Sequence, residues 1–190
     1  MKNDHIFYKR GFIPKKECEC LINYFESNED LHIPGQLGFF KTIDPARKKS
    51  TDIVLNILKN FFWIKTYLQE CIEEYEKQYP FLKRISQWNI CEDYRLQRYY
   101  PGEGYFVEHC ENQGPDLGGN GGDRRMLAWM IYLNDVTDGG HTVFPQQKRK
   151  FQPRMGDVLI WPAYFTHSHH GMTSKKHTKY IATGWYEFIK

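Results

Sequence analysis

Residues 153–185 read PRMGDVLIWPAYFTHSHHGMTSKKHTKYIATGW, two short runs of aromatic and β-branched residues, VLIWPAYF and KYIATGW, set between clusters of turn-forming residues. Runs this short, bounded by Gly, Pro, Asp and Ser, are strands rather than helices. The same texture reaches back to Arg84, with turn signals PGEG at 101, GPDLGGNGGD at 114, DGG at 138, PRMGD at 153 and HHGMTSKKH at 169. That spacing predicts about eight short antiparallel strands, which suit a double-sheet jelly roll. Gly139 with Gly140, and Gly156 with Asp157, read as tight turns that fix the strand registers.

Before Arg84 the texture is helical. Residues 14–27, PKKECECLINYFES, open with a proline and space Cys18, Leu21, Ile22 and Phe25 at helical intervals, predicting a short amphipathic helix. Leu58–Tyr79 places Phe61, Phe62, Ile64, Tyr67, Leu68, Cys71, Ile72 and Tyr75 at steps of three and four, predicting a second. Residues 28–50, rich in Gly, Pro and Lys, read as a long excursion or a pair of edge strands, the kind of segment that covers a site. The expected fold class is α+β, mainly β: a double-stranded β-helix (jelly-roll) core with the N-terminal helices packed on one outer face. The chain reads as one domain over 1–190, with a helical support and substrate-loop region at 1–83 and the jelly-roll core at 84–190.

The chain has 190 residues, 41% hydrophobic and 26% charged, the composition of an ordinary globular domain. At this length roughly 70% of the unfolded surface is buried on folding, so a metal is not needed to hold the core and would be functional. Lys+Arg 26 against Asp+Glu 23 leaves a formal charge of +3, too small and too dispersed to signal a nucleic-acid or membrane partner. The local run Lys148, Arg149 and Lys150 reads as a solvated hairpin tip. No secretory leader and no long apolar stretch is visible. The five scattered cysteines, Cys18, Cys20, Cys71, Cys91 and Cys110, suit a reducing, cytoplasmic location better than a disulfide framework or a zinc knuckle. A monomer is adequate for such a fold.

His109 and Glu111 stand two apart in a strand-like segment, so an imidazole and a carboxylate share a face. A second histidine cluster, His167, His169 and His170, closes the run DVLIWPAYF. Two histidines and one carboxylate on a face, with open positions beside them, are the facial triad of non-haem Fe(II) oxygenases. Ten residues after His169 comes Lys179, which shares a strand face with Ile181, Thr183 and Trp185. A lysine aimed into a β-lined cavity needs an anion, and a dicarboxylate cosubstrate supplies one.

The stretches LQRYYPGEGYFVEHCE (96–111), RRMLAWMIYLNDVTDGGHTVFP (124–145), PRMGDVLIWPAYFTH (153–167) and HHGMTSKKHTKYIATGW (169–185) resemble, in order and spacing, the motifs of the 2-oxoglutarate and Fe(II)-dependent dioxygenases, in their prolyl 4-hydroxylase-like branch. The resemblance implies His109, Glu111 and His169 as iron ligands, His167 and His170 then being neighbours. It implies Lys179, Tyr132, Thr183 and Tyr99 as residues that hold 2-oxoglutarate, and Arg125 and Trp185 on the substrate side. Glu111 stands where the family usually has aspartate, one methylene shorter, with Asp116 and Asp123 as fallback ligands.

The implied reaction consumes O2 and 2-oxoglutarate, releases succinate and CO2, and hydroxylates an unactivated C–H bond, with ascorbate as an auxiliary reductant. The implied partner is a peptide or protein substrate containing proline. Two other readings stand beside it: an oxygenase of a free amino acid or other small molecule, and a non-catalytic binding module whose Glu111 has compromised the iron site.

Overall fold

The computed structural model describes residues 4–37, 42–114 and 122–189. Thirteen strands and two α-helices follow one another as β1 (Phe7–Lys9), α1 (Lys15–Ser27), β2 (Ile33–Pro34), β3 (Lys48–Lys49), β4 (Thr51–Asn56), α2 (Trp63–Gln78), β5 (Trp88–Ile90), β6 (Asp93–Tyr99), β7 (Gly104–Tyr105), β8 (Arg125–Tyr132), β9 (Thr142–Phe144), β10 (Arg149–Phe151), β11 (Val158–Pro162), β12 (His170–Gly171) and β13 (Lys179–Phe188). The main sheet runs β1-β11-β8-β13-β6-β4-β2, with β5 on the far end of β13. A smaller sheet, β10-β9-β12, covers part of one face, and β3 pairs with β7. All pairings are antiparallel.

The two faces of the main sheet do different work. Along β6, Tyr94 and Leu96 face the helices, and along β8, Leu127, Trp129 and Ile131 do the same. Against them α1 buries Cys18, Leu21 and Phe25, and α2 buries Ile64, Leu68, Cys71, Ile72 and Tyr75. Each such aliphatic or aromatic side chain removed from water contributes roughly 1.5–3 kcal/mol. On the opposite face Tyr99, Met130, Tyr132, Leu159, Trp161 and Ile181 meet Phe144 and Phe151 of the smaller sheet. This second face, where it is not filled, forms the cavity. The fold is α+β and mainly β, with a jelly-roll core and both helices on one outer face.

Three expectations need correction. The first region is not purely helical support, since β1 and β4 belong to the main sheet and pair with β11 and β6. The second helix starts at Trp63 rather than Leu58, because Phe61 adopts the left-handed conformation (φ 56°) and Asn56 folds the preceding residues into a turn, accepting from the Leu58 N–H at 3.0 Å. Phe61 keeps its apolar role there, packed edge-on against Tyr24. The basic run is a hairpin tip, with Lys148 at φ 53°, but Arg149 is ion-paired to Asp4. The excursion at 28–50 contains β2 and β3. Among the described residues no helix is long and apolar enough to cross a membrane.

Candidate metal centre

His109 is not in a regular strand. It leaves β7 and forms an isolated bridge to His169, the two backbones exchanging N–H···O bonds of 2.9 and 2.8 Å. Two residues on, the Glu111 and Asn112 N–H groups both donate to Ala163 O, at 3.0 and 2.8 Å. These bonds pin the H-x-E segment to the end of β11 and bring three donors together. Glu111 Oε1 lies 3.3 Å from His169 Nε2 and 3.7 Å from His109 Nε2, and the ligand atoms all lie within 4.8 Å of one another. Tyr105 stacks flat on the His109 ring at 3.6 Å, and Phe144 and Trp161 flank His169.

The protonation states suit a cation. His109 Nδ1 donates to Val107 O and His169 Nδ1 to His167 O, each at 3.0 Å, which leaves both Nε2 lone pairs turned inward. Burial, reinforced by neighbouring His169, lowers His109 to about 3, so it is a neutral ligand at physiological pH. Burial alone would raise Glu111, but His169, His109 and Arg125 outweigh it and hold the carboxyl below its ordinary range. Two imidazoles with inward-facing Nε2 atoms and one carboxylate fit a divalent non-haem iron with open positions. Asp123 does not join the group, and Asp116 lies outside the described residues.

Glu111 Oε2 is also held. The Trp185 indole N–H donates to it at 2.9 Å, and Arg125 lies 3.9 Å away with its guanidinium stacked on Trp185 at 3.6 Å. The longer side chain is thus tied at one oxygen and free to present the other.

The centre opens on a cavity of about 360 Å³. Lys179, Thr183 and Trp185 line it from β13, and Tyr99 from β6. Lys179 is buried, donates to Gly140 O at 2.9 Å, and has no carboxylate within 4 Å among the described residues; burial lowers it to about 8. Gly139 and Gly140, read as a hairpin turn, sit at φ 136° and 68° and carry that carbonyl to the lysine. Thr183 Oγ1 donates to Trp129 O at 2.8 Å, and Tyr99 OH donates to Gln97 Oε1 at 2.9 Å.

Tyr132 does not reach the wall. The smaller sheet closes over it, and its hydroxyl meets Thr142 Oγ1 at 2.7 Å, so Thr142 lines the cavity in its place.

Residues 94–187 match the model of the 2OG-Fe(II) oxygenase superfamily. The chain belongs to that superfamily. A protein of Acanthamoeba polyphaga mimivirus provisionally named a prolyl 4-hydroxylase is 33% identical over 134 residues, 58% of this chain and 54% of that protein. The "Probable prolyl 4-hydroxylase 3" of Arabidopsis thaliana is 30% identical over 179 residues, 82% of this chain and 57% of the relative. The chain therefore spans just over half the length of these relatives. A viral collagen prolyl hydroxylase from Paramecium Bursaria Chlorella virus-1, solved with 2-oxoglutarate, shares the fold at TM-score 0.71 and 23% identity over 97% of each chain.

Several cavity residues of this oxygenase-superfamily chain escaped the sequence reading. Arg95 and Gln97 share with Tyr99 the cavity face of β6, a polar alternation that period-two reading of DYRLQRY could have exposed. Lys48 and its buried partner Asp52, 3.0 Å apart, come from a stretch without period and gave no such signal.

Proposed function

We propose that this chain is a 2-oxoglutarate- and O2-dependent hydroxylase, acting on prolyl residues of a peptide or protein and releasing succinate and CO2. The observation that carries the reading is one cavity with a His109, Glu111, His169 donor set at one side and, in its wall, a buried lysine, Lys179, with no carboxylate within 4 Å among the described residues. His109 Nε2, Glu111 Oε1 and His169 Nε2 would hold ferrous iron, which would activate O2, the oxidant, toward an unactivated C–H bond.

The rest is positioning. The Val107 and His167 carbonyls hold the imidazoles in the ligating tautomer. Trp185 and Arg125 orient Glu111 and line the substrate side of the site. The Lys179 ammonium anchors the far carboxylate of the cosubstrate, with Thr183 and Tyr99 beside it, and the apolar wall of Met130 and Ile181 excludes water there. Tyr132 supports this wall from behind Thr142. We read residues 1–83 and 84–190 as parts of one domain, and the protein as a cytoplasmic monomer that binds neither nucleic acid nor membrane.

The test is anaerobic titration with Fe(II) and 2-oxoglutarate, read by the weak visible charge-transfer band of the chelate, then admission of O2 with proline-containing peptides and assay of succinate and hydroxyproline. Band, succinate and hydroxyproline together are expected. Succinate with a free amino acid but with no peptide would move the substrate to small molecules, and neither band nor succinate from folded, metal-loaded protein would make the chain a binding module.

A further inference from the structure

Among the described residues four cationic side chains line the cavity: Lys48, Arg95, Arg125 and Lys179. Three have work to do. Lys48 is paired with Asp52 at 3.0 Å, Arg125 lies 3.9 Å from both Glu111 and Glu187, and Lys179 stands where the cosubstrate's far carboxylate is placed. Arg95 is only loosely paired. Among the described residues its nearest carboxylate, Asp52, lies 3.7 Å away, beyond hydrogen-bond distance, and already accepts from Lys48 Nζ (3.0 Å) and Gln97 Nε2 (2.8 Å) at Oδ2 and from Ser50 Oγ (2.7 Å) at Oδ1. Arg95 Nη1 is buried and makes no hydrogen bond among the described residues, while the side chain as a whole is 23% exposed and lines the cavity, so part of it is open to a ligand there.

The sheet register places this arginine. Arg95 of β6 pairs directly with Thr183 of β13, and Trp185, two residues further along the same face, holds Glu111. Diagonal neighbours on a sheet lie about 7–8 Å apart, and an extended peptide advances about 3.3 Å per residue. A guanidinium presents a rigid fork that matches a carboxylate.

From this we infer that Arg95 is a substrate subsite for a carboxylate side chain, an Asp or Glu one or two positions from the target prolyl. The inference rests on the hydroxylase reading above. It makes Arg95 a specificity-determining residue: the acidic group accepts the guanidinium hydrogen bonds that Asp52, 3.7 Å away, does not, and a lysine at that place meets repulsion instead.

Binding and turnover separate the two readings. Blocked proline-containing peptides, with Glu, Gln or Lys placed in turn at the two positions on either side of the proline, are titrated calorimetrically into Mn(II)-loaded protein saturated with 2-oxoglutarate. At one of these positions Glu is expected to bind at least about tenfold tighter than Gln, and Lys more weakly than both, as for a charge-assisted pair. Arg95→Gln should shrink the Glu advantage to less than about twofold while leaving Mn(II) and 2-oxoglutarate affinity intact, and Arg95→Lys should keep part of it. Equal binding of Glu and Gln at all four positions, absence of peptide binding, or a preference that survives Arg95→Gln overturns the subsite. Hydroxyproline assays on the iron-loaded protein read the parent function separately: an Arg95-dependent preference without hydroxylation removes the prolyl reaction and leaves the subsite standing.

Discussion

Burial brings the Lys179 ammonium down to about 8, and its one hydrogen-bond partner among the described residues is the Gly140 carbonyl. A lysine whose folded pKa lies below its unfolded value destabilises the protein while it must be protonated in both states. Between about 8 and the ordinary 10.5 the unfolded chain binds the extra proton, so stability rises with pH in that window. Lys179→Met should therefore stabilise the unliganded protein at pH 7 by on the order of 2–3 kcal/mol, a gain that shrinks above pH 8, while weakening 2-oxoglutarate about 10- to 100-fold. Denaturant melts across pH and anaerobic 2-oxoglutarate titrations read the two effects; unchanged cosubstrate affinity would sink the anchoring role. In the wild type, affinity should fall as pH rises past the lysine's pKa, because the ammonium is the binding form.

The histidines divide in the same way. His169 turns Nε2 toward Glu111, whereas His167 Nε2 bonds to Asp4 O at 2.9 Å. His169→Ala should lose Fe(II) affinity by more than about 100-fold. His167→Ala should keep it within a few fold and lose about 1–2 kcal/mol of stability instead, since the carbonyl that orients His169 is backbone and survives the substitution. Equilibrium metal titration and melting temperature check both, and the reverse pattern would move the ligand. The short spacing of His109 and Glu111 is a local signal, although His109 sits on an isolated bridge rather than in a strand, and the motif resemblance joined His169 and Lys179 to it. The Trp185 bond to Glu111 is 74 residues long-range and leaves no local trace.

At the scale of elements, β13 carries both the cavity and the core, with Lys179, Thr183 and Trp185 facing one side and Ala182 and Tyr186 the other. Gly184 is on the core side under Trp129, where an added Cβ would come within 2.6 Å of the indole ring. Gly184→Ala should cost about 1–3 kcal/mol by overpacking, read in urea melts, and should also raise the 2-oxoglutarate requirement, because the strand that bows away from Trp129 carries Lys179 and Thr183. A strand of this kind, long and alternating, is legible in sequence. β4, TDIVLN, was not, since its Ile53 and Leu55 face the helices while the cavity-side Asp52 is a buried charge that breaks the expected pattern. β1 is three residues long and exists only by pairing with β11. The start of α2 misled for a related reason: Leu58 and Phe61 keep helical spacing, but Asn56 and the left-handed Phe61 make a turn of it.

Taken as a whole, the molecule interleaves its two halves. β1 and β4 from the first region sit in one sheet with β11 and β6 from the second, and α1 and α2 share one apolar cluster with β6, β8 and β11. Neither half buries its apolar face without the other, so unfolding should be a single cooperative transition, with tryptophan fluorescence and far-ultraviolet circular dichroism tracing the same urea curve. Leu21→Ala, in a side chain fully buried between α1 and the sheet, should lower stability by about 2–5 kcal/mol and shift both curves together. The candidate metal centre belongs to the same unit, since its donor residues hang on β11 and on the bridge between His109 and His169. Fe(II) at about 100 times its Kd, bound only by the folded state, should therefore raise the global stability by about 2.7 kcal/mol, with the same increment in the Leu21→Ala protein and none in His169→Ala. Curves that part between the two probes, or a metal increment confined to one of them, would mean that residues 84–190 fold without the first region and that the site is not coupled to the helices.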